Sequence, residues 1–291
     1  MNSKDMNKIN KKEIKKDLLK IIRNHILKIA TTERADTNKY FFKTEKGEYG
    51  EGDKFLGITV PQTRNISKAF CDLDLKETGN LLKSEFHEER LLALYILINK
   101  FQEASISNSK SSKNNENKIR EEIFNLYFKN IKYINNWDLV DFSAPKIVGN
   151  YIKEKHSLKS KNCSGVKFLI SLVKDENKFA KNKKEKLWEK RIAIVSTYAF
   201  MQKPFKNEYS PEIIFEIAIE ILNEKDELNN HDLIQKAVGW MLREYGKRIN
   251  EKKLKEFLNK NFEKIKTKRT LLRYAIERFP EKERKGYLNR R

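Results

Sequence analysis

Trp137 and Asp141 stand four residues apart in the stretch Asn135-Asn136-Trp137-Asp138-Leu139-Val140-Asp141-Phe142-Ser143-Ala144-Pro145. On a helix that spacing raises ring and carboxylate from neighbouring turns of one face. At about 100° per residue, Val140, Ala144, Ile147, Val148 and Tyr151 gather into one apolar stripe. Trp137 falls inside it, Asp141 on its border, and Asp138 points away towards solvent. A carboxylate beside an apolar stripe needs a cation or hydrogen-bond donors to offset its desolvation. It is either a cap or ion pair that ties helices together, or a preorganised negative charge for chemistry that develops a positive one.

Two later segments break the same rule. In Leu187-Trp188-Glu189-Lys190-Arg191-Ile192-Ala193, Arg191 lies among Leu187, Val195 and Tyr198 near the centre of the face that should be buried, while Lys190 points elsewhere. A buried guanidinium requires a carboxylate or phosphate; a purely structural ion pair satisfies that as well as a functional one. In residues 232–248 the core stripe is Leu233, Ile234, Ala237, Val238, Met241 and Tyr245. Trp240 falls outside it, grouped with Lys236, Arg243 and Lys247. Such a tryptophan either packs on a neighbouring helix pair or lines a groove for nucleic acid, where the ring stacks and the cations take phosphates.

The elements that must hold these residues are helical throughout. Period-two alternation is absent, and apolar residues recur at helical spacing from about Lys11 onward: Ile14, Leu18, Ile21, Ile22, Ile26 and Ile29. Helices follow at 60–70, with Thr59 as cap and Pro61 in the first turn, and at 75–83, 88–100 and 119–130. Pro145 divides or kinks the helix that carries Trp137 and Asp141. Further helices cover 165–173, 187–201, 211–222, 232–248, 252–262 and 268–278, with a short one at the end. Antiparallel pairs of this length joined by short turns suggest an all-α solenoid of HEAT-like type whose stacked pairs present a concave basic surface. The expected organisation is a disordered segment at 1–10 and a single solenoid domain at 11–291, interrupted by a polar surface loop at 102–118. Lys174–Lys186 forms a second, strongly basic connection. The Gly47, Gly50, Gly52 turn with its acidic neighbours lacks the spacing of a calcium loop and reads as a structural turn.

Composition narrows the partner. Lys and Arg number 62 against 41 Asp and Glu, a formal net charge of +21, which points to a polyanion, nucleic acid first. AT-rich coding bias is the competing source of so much lysine. Hydrophobic residues at 38% suffice for a core. Cys71 and Cys163 make neither a disulfide framework nor a zinc site. No signal h-region or membrane-length apolar run is present, so the expected location is the cytoplasm, in association with the nucleoid.

Taken together these motifs resemble the bacterial AlkD-like DNA glycosylases, DNA alkylation repair enzymes built from HEAT-like repeats. The likeness is carried by Asn136–Asp141, Leu187–Ala193 and Lys236–Glu244, with Gly47–Asp53, Phe55–Pro61 and Leu272–Glu277 in the same order. It implies excision of N3- and N7-alkylated purines from duplex DNA by a monomer without metal or cofactor. It places the catalytic carboxylate on Asp141, the lesion-flanking tryptophans on Trp137 and Trp240, and the active-site arginine on Arg191. Either Tyr40 or one of the two aromatics next to it corresponds to a tyrosine near the family's N-terminus, with Tyr40 the expected one, and Lys236, Arg243 and Lys247 are the expected DNA contacts. The rival expectation is a non-catalytic HEAT-like scaffold that binds nucleic acid or an acidic protein through the same face; it would have no need of a carboxylate there.

Overall fold

A computed structural model describes residues 19–104, 113–155, 164–174, 176, 179–202, 210–223 and 226–290. The segment 1–10 lies outside them. Among the described residues the regular structure is helical, and the one extended pairing is an isolated bridge between Lys54 and Phe86. The all-α expectation holds. The chain divides into two compact units, residues 1–139 and 140–291.

The first unit is built on α5 (His87–Glu103). Its residues 91–98 are buried on every side, so it is the central helix rather than an amphipathic one. Around it lie α1 (residues 19–27), α2 (Thr32–Phe41), α3 (Val60–Ala69), α4 (Leu75–Leu81) and α6 (Lys113–Lys129). Both α3 and α4 pack directly on α5. Thr59 caps α3 in a full capping box with Gln62, as its sequence promises. The aromatic stretch at 38–43 is the end of a helix, because Thr31 caps α2 and Ala35 anchors it to the core. The polar 102–118 stretch is shorter as a loop than expected: residues 102 and 103 complete α5, and α6 begins at Lys113. Residues 105–112 lie outside the described part. A run of Asn, Lys and Glu shows no apolar periodicity, yet these residues are compatible with a helix, and among the described side chains of α6 Ile123 is buried.

The second unit opens within α7 (Trp137–Ser143). Pro145 divides that helix as expected, and the chain continues through a π-turn, Pro145–Gly149, into α8 (Asn150–Lys155). Then come α9 (Ser164–Val173), α10 (Lys183–Ser196) with a 3₁₀ extension Thr197–Met201, α11 (Ile213–Asn223), α12 (Asp232–Arg248), α13 (Glu251–Lys260), α14 (Phe262–Ile265), α15 (Arg269–Ala275) and α16 (Glu281–Asn289). Helix α12 is the hub, packed against α10, α11, α13 and α15. Its buried stripe is the one read from periodicity, from Leu233 to Tyr245.

Helix α5 opens on four buried polar residues, His87, Glu88, Glu89 and Arg90. Each meets its complement. Arg90 Nη2 donates to Asp53 Oδ1 at 2.7 Å, and Arg23 grips Glu89 through Nε and Nη2, both at 2.7 Å. Glu88 accepts the backbone N–H groups of Leu56 and Gly57 at 2.9 Å each. The His87 ring lies between two carboxylates, with Nδ1 3.1 Å from Asp53 and Nε2 2.8 Å from Asp138. Asp138 therefore does not point to solvent as its helical-wheel position suggests. Its side chain is 16% exposed, because α7 starts against α5 as well as along its own apolar stripe. Burial by itself would lower the His87 pKa, but the charges and hydrogen bonds of Asp138 and Asp53 outweigh it and push it up to about 9.

A histidine whose folded pKa exceeds its unfolded value stabilises fully below about pH 6.5 and ceases to do so as pH rises through about 9. Chemical denaturation should show unfolding free energy falling across that window by on the order of 3 kcal/mol. In His87→Gln the decline should vanish; the same decline in both proteins would contradict the cation between Asp53 and Asp138.

Candidate functional site

Asp141 and Arg191 meet as a two-pronged pair. Arg191 Nε donates to Oδ1 at 2.9 Å and Nη2 to Oδ2 at 2.8 Å. Arg191 Nη1 donates to the carbonyl of Leu233 at the start of α12, so the guanidinium is bonded on three nitrogens. The pair is tilted towards the surface at its negative end: the Arg191 side chain is 6% exposed and that of Asp141 18%. Parallel N–H···O bonds of this kind are the strong, geometrically specific form of the arginine–carboxylate contact.

Backbone features bring the two helices close enough for it. Pro145 lacks an N–H, and the π-turn that absorbs this defect closes with a bond from Gly149 N to Ala144 O at 2.9 Å. Gly149 then lies directly against the end of α10: a Cβ there would stand 2.4 Å from the Ser196 carbonyl oxygen and 2.7 Å from the Ala199 Cβ. Asp141, two turns earlier on the same run, is thereby held opposite Arg191. Neighbouring Lys190 is buried too, donating to the Val173 carbonyl and pairing with Asp226 at 3.1 Å. His231, which caps α12, has a lowered pKa, first through burial and further through the nearby Arg191 charge.

Trp240 is half-buried on α12 with the Tyr198 ring beside it, centroids 6.3 Å apart. The Arg248 guanidinium lies over that tyrosine at 5.0 Å. Glycine at 239 lets α12 meet α15 closely, since a Cβ would fall 2.5 Å from both the Leu271 carbonyl oxygen and the Tyr274 Cβ. So Trp240 both packs and shows a face. Of its basic neighbours, Lys236 pairs with Asp232 at 2.6 Å, and Arg243 is engaged by Glu277 and Glu244. Lys247 is exposed and has no ion-pair partner among the described residues. The cations read from the sequence are thus unequal: Lys247 alone of the three keeps its charge uncompensated.

Trp137 opens α7, with its N–H taken by the Asn136 side chain at 2.8 Å. Its ring ends a column of aromatics: Phe42 stacks on it at 5.5 Å, and Phe55 stacks on Phe42 at 5.2 Å. Phe41 adds an edge contact at 5.8 Å. Tyr40 is not part of this column; it is 78% exposed and its ring meets the Lys43 ammonium at 5.0 Å. Helix α2 ends at Phe41, and the chain turns there, which carries Phe42 rather than Tyr40 inward.

Sequence reading missed the support behind Trp137. Asp53, delivered by the glycine-containing turn 47–52, is 8% exposed and ties His87, Arg90, Asn135 and Asn136 together immediately before α7. Among the described residues no group of three or more His, Cys, Asp or Glu side chains is placed to hold a metal ion, and no helix is long and apolar enough to cross a membrane.

The profile of the DNA alkylation repair enzymes matches residues 22–279. The chain belongs to this family. No curated protein and no solved structure matches it. The match takes in Trp137, Asp141, Arg191 and Trp240, so the resemblance seen in the motifs is upheld at family level: the protein is an enzyme of alkylated-DNA repair, and DNA is its substrate.

Breaking a buried ion pair from one side strands the other charge. Arg191→Met should therefore lower unfolding free energy by about 3–5 kcal/mol, whereas Arg191→Met with Asp141→Leu should recover much of that loss. Denaturant titration of the two variants checks this; equal losses would mean that the pair contributes nothing specific to the fold.

Proposed function

We propose that the protein is an alkylpurine DNA glycosylase that hydrolyses the N-glycosidic bond of N3- or N7-alkylated purines in duplex DNA. The observation that carries this reading is the orientation of the Asp141–Arg191 pair, with the cation buried and the anion partly open to solvent. In a chain of net charge +21 whose substrate is a polyanion, a partly open carboxylate repels phosphate. Its use lies with a positive charge instead.

Alkylation at N3 or N7 leaves the purine cationic, so it departs as a neutral base and needs little help from an acid. The bond electrons leave with the purine, and positive charge develops on the deoxyribose. Asp141, fixed in place by two hydrogen bonds from Arg191, meets that charge without reorganising. It also accepts a hydrogen bond from the water that attacks the sugar carbon; that oxygen becomes the new hydroxyl as its spare proton passes through Asp141 to solvent. The faces of Trp137 and Trp240 attract the cationic base or sugar. Lys247 takes a backbone phosphate, with Lys236 and Arg243 contributing once their present partners are exchanged for the DNA.

The test is release of methylated purine from alkylated duplex DNA by wild type and Asp141→Asn. Removing one preorganised electrostatic contact should slow excision by about two to three orders of magnitude, with duplex affinity equal or higher. Near-wild-type excision by a normally folded Asp141→Asn would exclude the carboxylate from the chemistry.

A further inference from the structure

Leu233 is bonded from two sides through its backbone. Its N–H, an orphan donor in the first turn of α12, points at the His231 ring, 3.2 Å from Nδ1. Its carbonyl accepts Arg191 Nη1, and Arg191 in turn holds Asp141 at 2.9 and 2.8 Å. A run of hydrogen bonds, interrupted only by the Leu233 backbone, therefore joins His231 to the carboxylate. Every member of it lies in the second unit.

A backbone N–H can only donate, so Nδ1 accepts, and the capping ring is the neutral form with its proton on Nε2. Protonation would turn Nδ1 into a donor facing another donor. It would also set a positive charge on the N-terminus of a 17-residue helix, where the dipole opposes it. The ring is half-buried, so solvent reaches it. Burial lowers its pKa most, Asp232 on α12 pulls it up, and the Arg191 charge on α10 lowers it again; the net direction is down. Other charges nearby are engaged. Asp232 holds Lys236 at 2.6 Å, and Lys268 before α15 donates to Asn230 at 2.6 Å. In the turn before α12, Asp226 pairs with Lys190 at 3.1 Å and Glu227 with Lys183 at 2.7 Å. A proton on His231 thus competes directly with the charge on Arg191.

We propose that His231 is a positioning residue for Asp141: neutral, it fixes the first turn of α12 and the carbonyl that holds Arg191; protonated, it releases both. The effect on rate rests on the glycosylase reading, whereas the effect on Arg191 rests on hydrogen bonding alone.

Wild type, His231→Asn and His231→Ala test it. Asparagine caps helices and accepts at every pH, so it keeps the cap and removes the titration. Alanine removes the cap as well. Melting temperature at each pH identifies the folded range, and if His231→Ala does not fold, the other two proteins decide. Single-turnover release of methylated purine by wild type should fall about tenfold or more between about pH 7.5 and pH 5, since a displaced catalytic group costs rate on that scale. His231→Asn should keep its rate over the same range, and folded His231→Ala should be slow throughout. An acid decline shared by wild type and His231→Asn would overturn the proposal, as would a folded His231→Ala with the wild-type rate and profile. The second readout needs no excision. The Arg191 Nε–H signal in isotope-labelled protein, assigned by its absence from Arg191→Gln, should exchange with water faster in acid in wild type but not in His231→Asn. Ordinary N–H exchange slows in that direction, so the sign is diagnostic. Identical exchange in the two proteins refutes the role of His231. The expected exchange without purine release at any pH refutes the glycosylase and keeps the positioning.

Discussion

The second unit depends on one interaction, the paired hydrogen bonds between Arg191 and Asp141. Arg191 arises from the middle of a helix whose residues 187–196 are all buried, and a guanidinium there is tolerable only if every face of it is answered. Asp141 answers two nitrogens and the Leu233 carbonyl a third. That third bond links the arginine to the start of α12, the helix that bears Trp240. The geometry of the carboxylate is therefore not an isolated detail: moving α7, α10 or α12 would break it. Gly149, where any side chain would strike the Ser196 carbonyl, and the π-turn around it are the backbone concessions that make the approach possible.

The first unit solves a similar problem with more members. Its central helix α5 buries a histidine, two glutamates and an arginine in its opening turn, and these are met by Asp53, Asp138, Arg23 and two backbone amides. Charges are complementary throughout, so the set stiffens the segment that leads into Trp137 without leaving a stranded ion. The match is not complete, since Arg90 Nε, Asn135 Oδ1 and Asp138 Oδ1 are buried without a hydrogen-bond partner, but paired charges of this kind still favour one arrangement of the segment. A fixed Trp137 suits the role proposed for it, because stacking and cation–π attraction both fall off quickly with misorientation.

Helical class, the division at Pro145 and the stripe of α12 were legible in the sequence because each is a one-dimensional signal: periodicity, a missing N–H, an apolar face. Asp141 and Arg191 were legible as anomalies, since each puts charge where its own helix is apolar, and their opposite charges made each the natural partner of the other. Asp138 was misread for an instructive reason. A helical wheel treats one face as core, whereas the first turn of α7 is covered from a second side by α5. The Asp53–His87–Arg90 set was invisible to motif spacing, since its members are 34 and 37 residues apart. It did leave a trace: residues 91–98 are apolar all round, so a helix of that kind must bury its polar first turn as well. Residue type alone leaves Tyr40, Phe41 and Phe42 unranked. Three consecutive aromatics look equivalent until the end of α2 decides that Phe42 turns inward.

In the proposed reaction Arg191 acts through Asp141, by holding the carboxylate in place with two hydrogen bonds, and has no separate role in bond cleavage. A double-mutant cycle on the single-turnover excision rate tests it most directly, using Asp141→Asn, Arg191→Gln and the double variant, each at a temperature where it is fully folded. Strong coupling is expected: with Asp141 already replaced, Arg191→Gln should change the rate little, so that the double variant excises about as slowly as Asp141→Asn alone. Rate losses that simply add would show two independent contributions, and would contradict the arginine-held carboxylate as the unit of function.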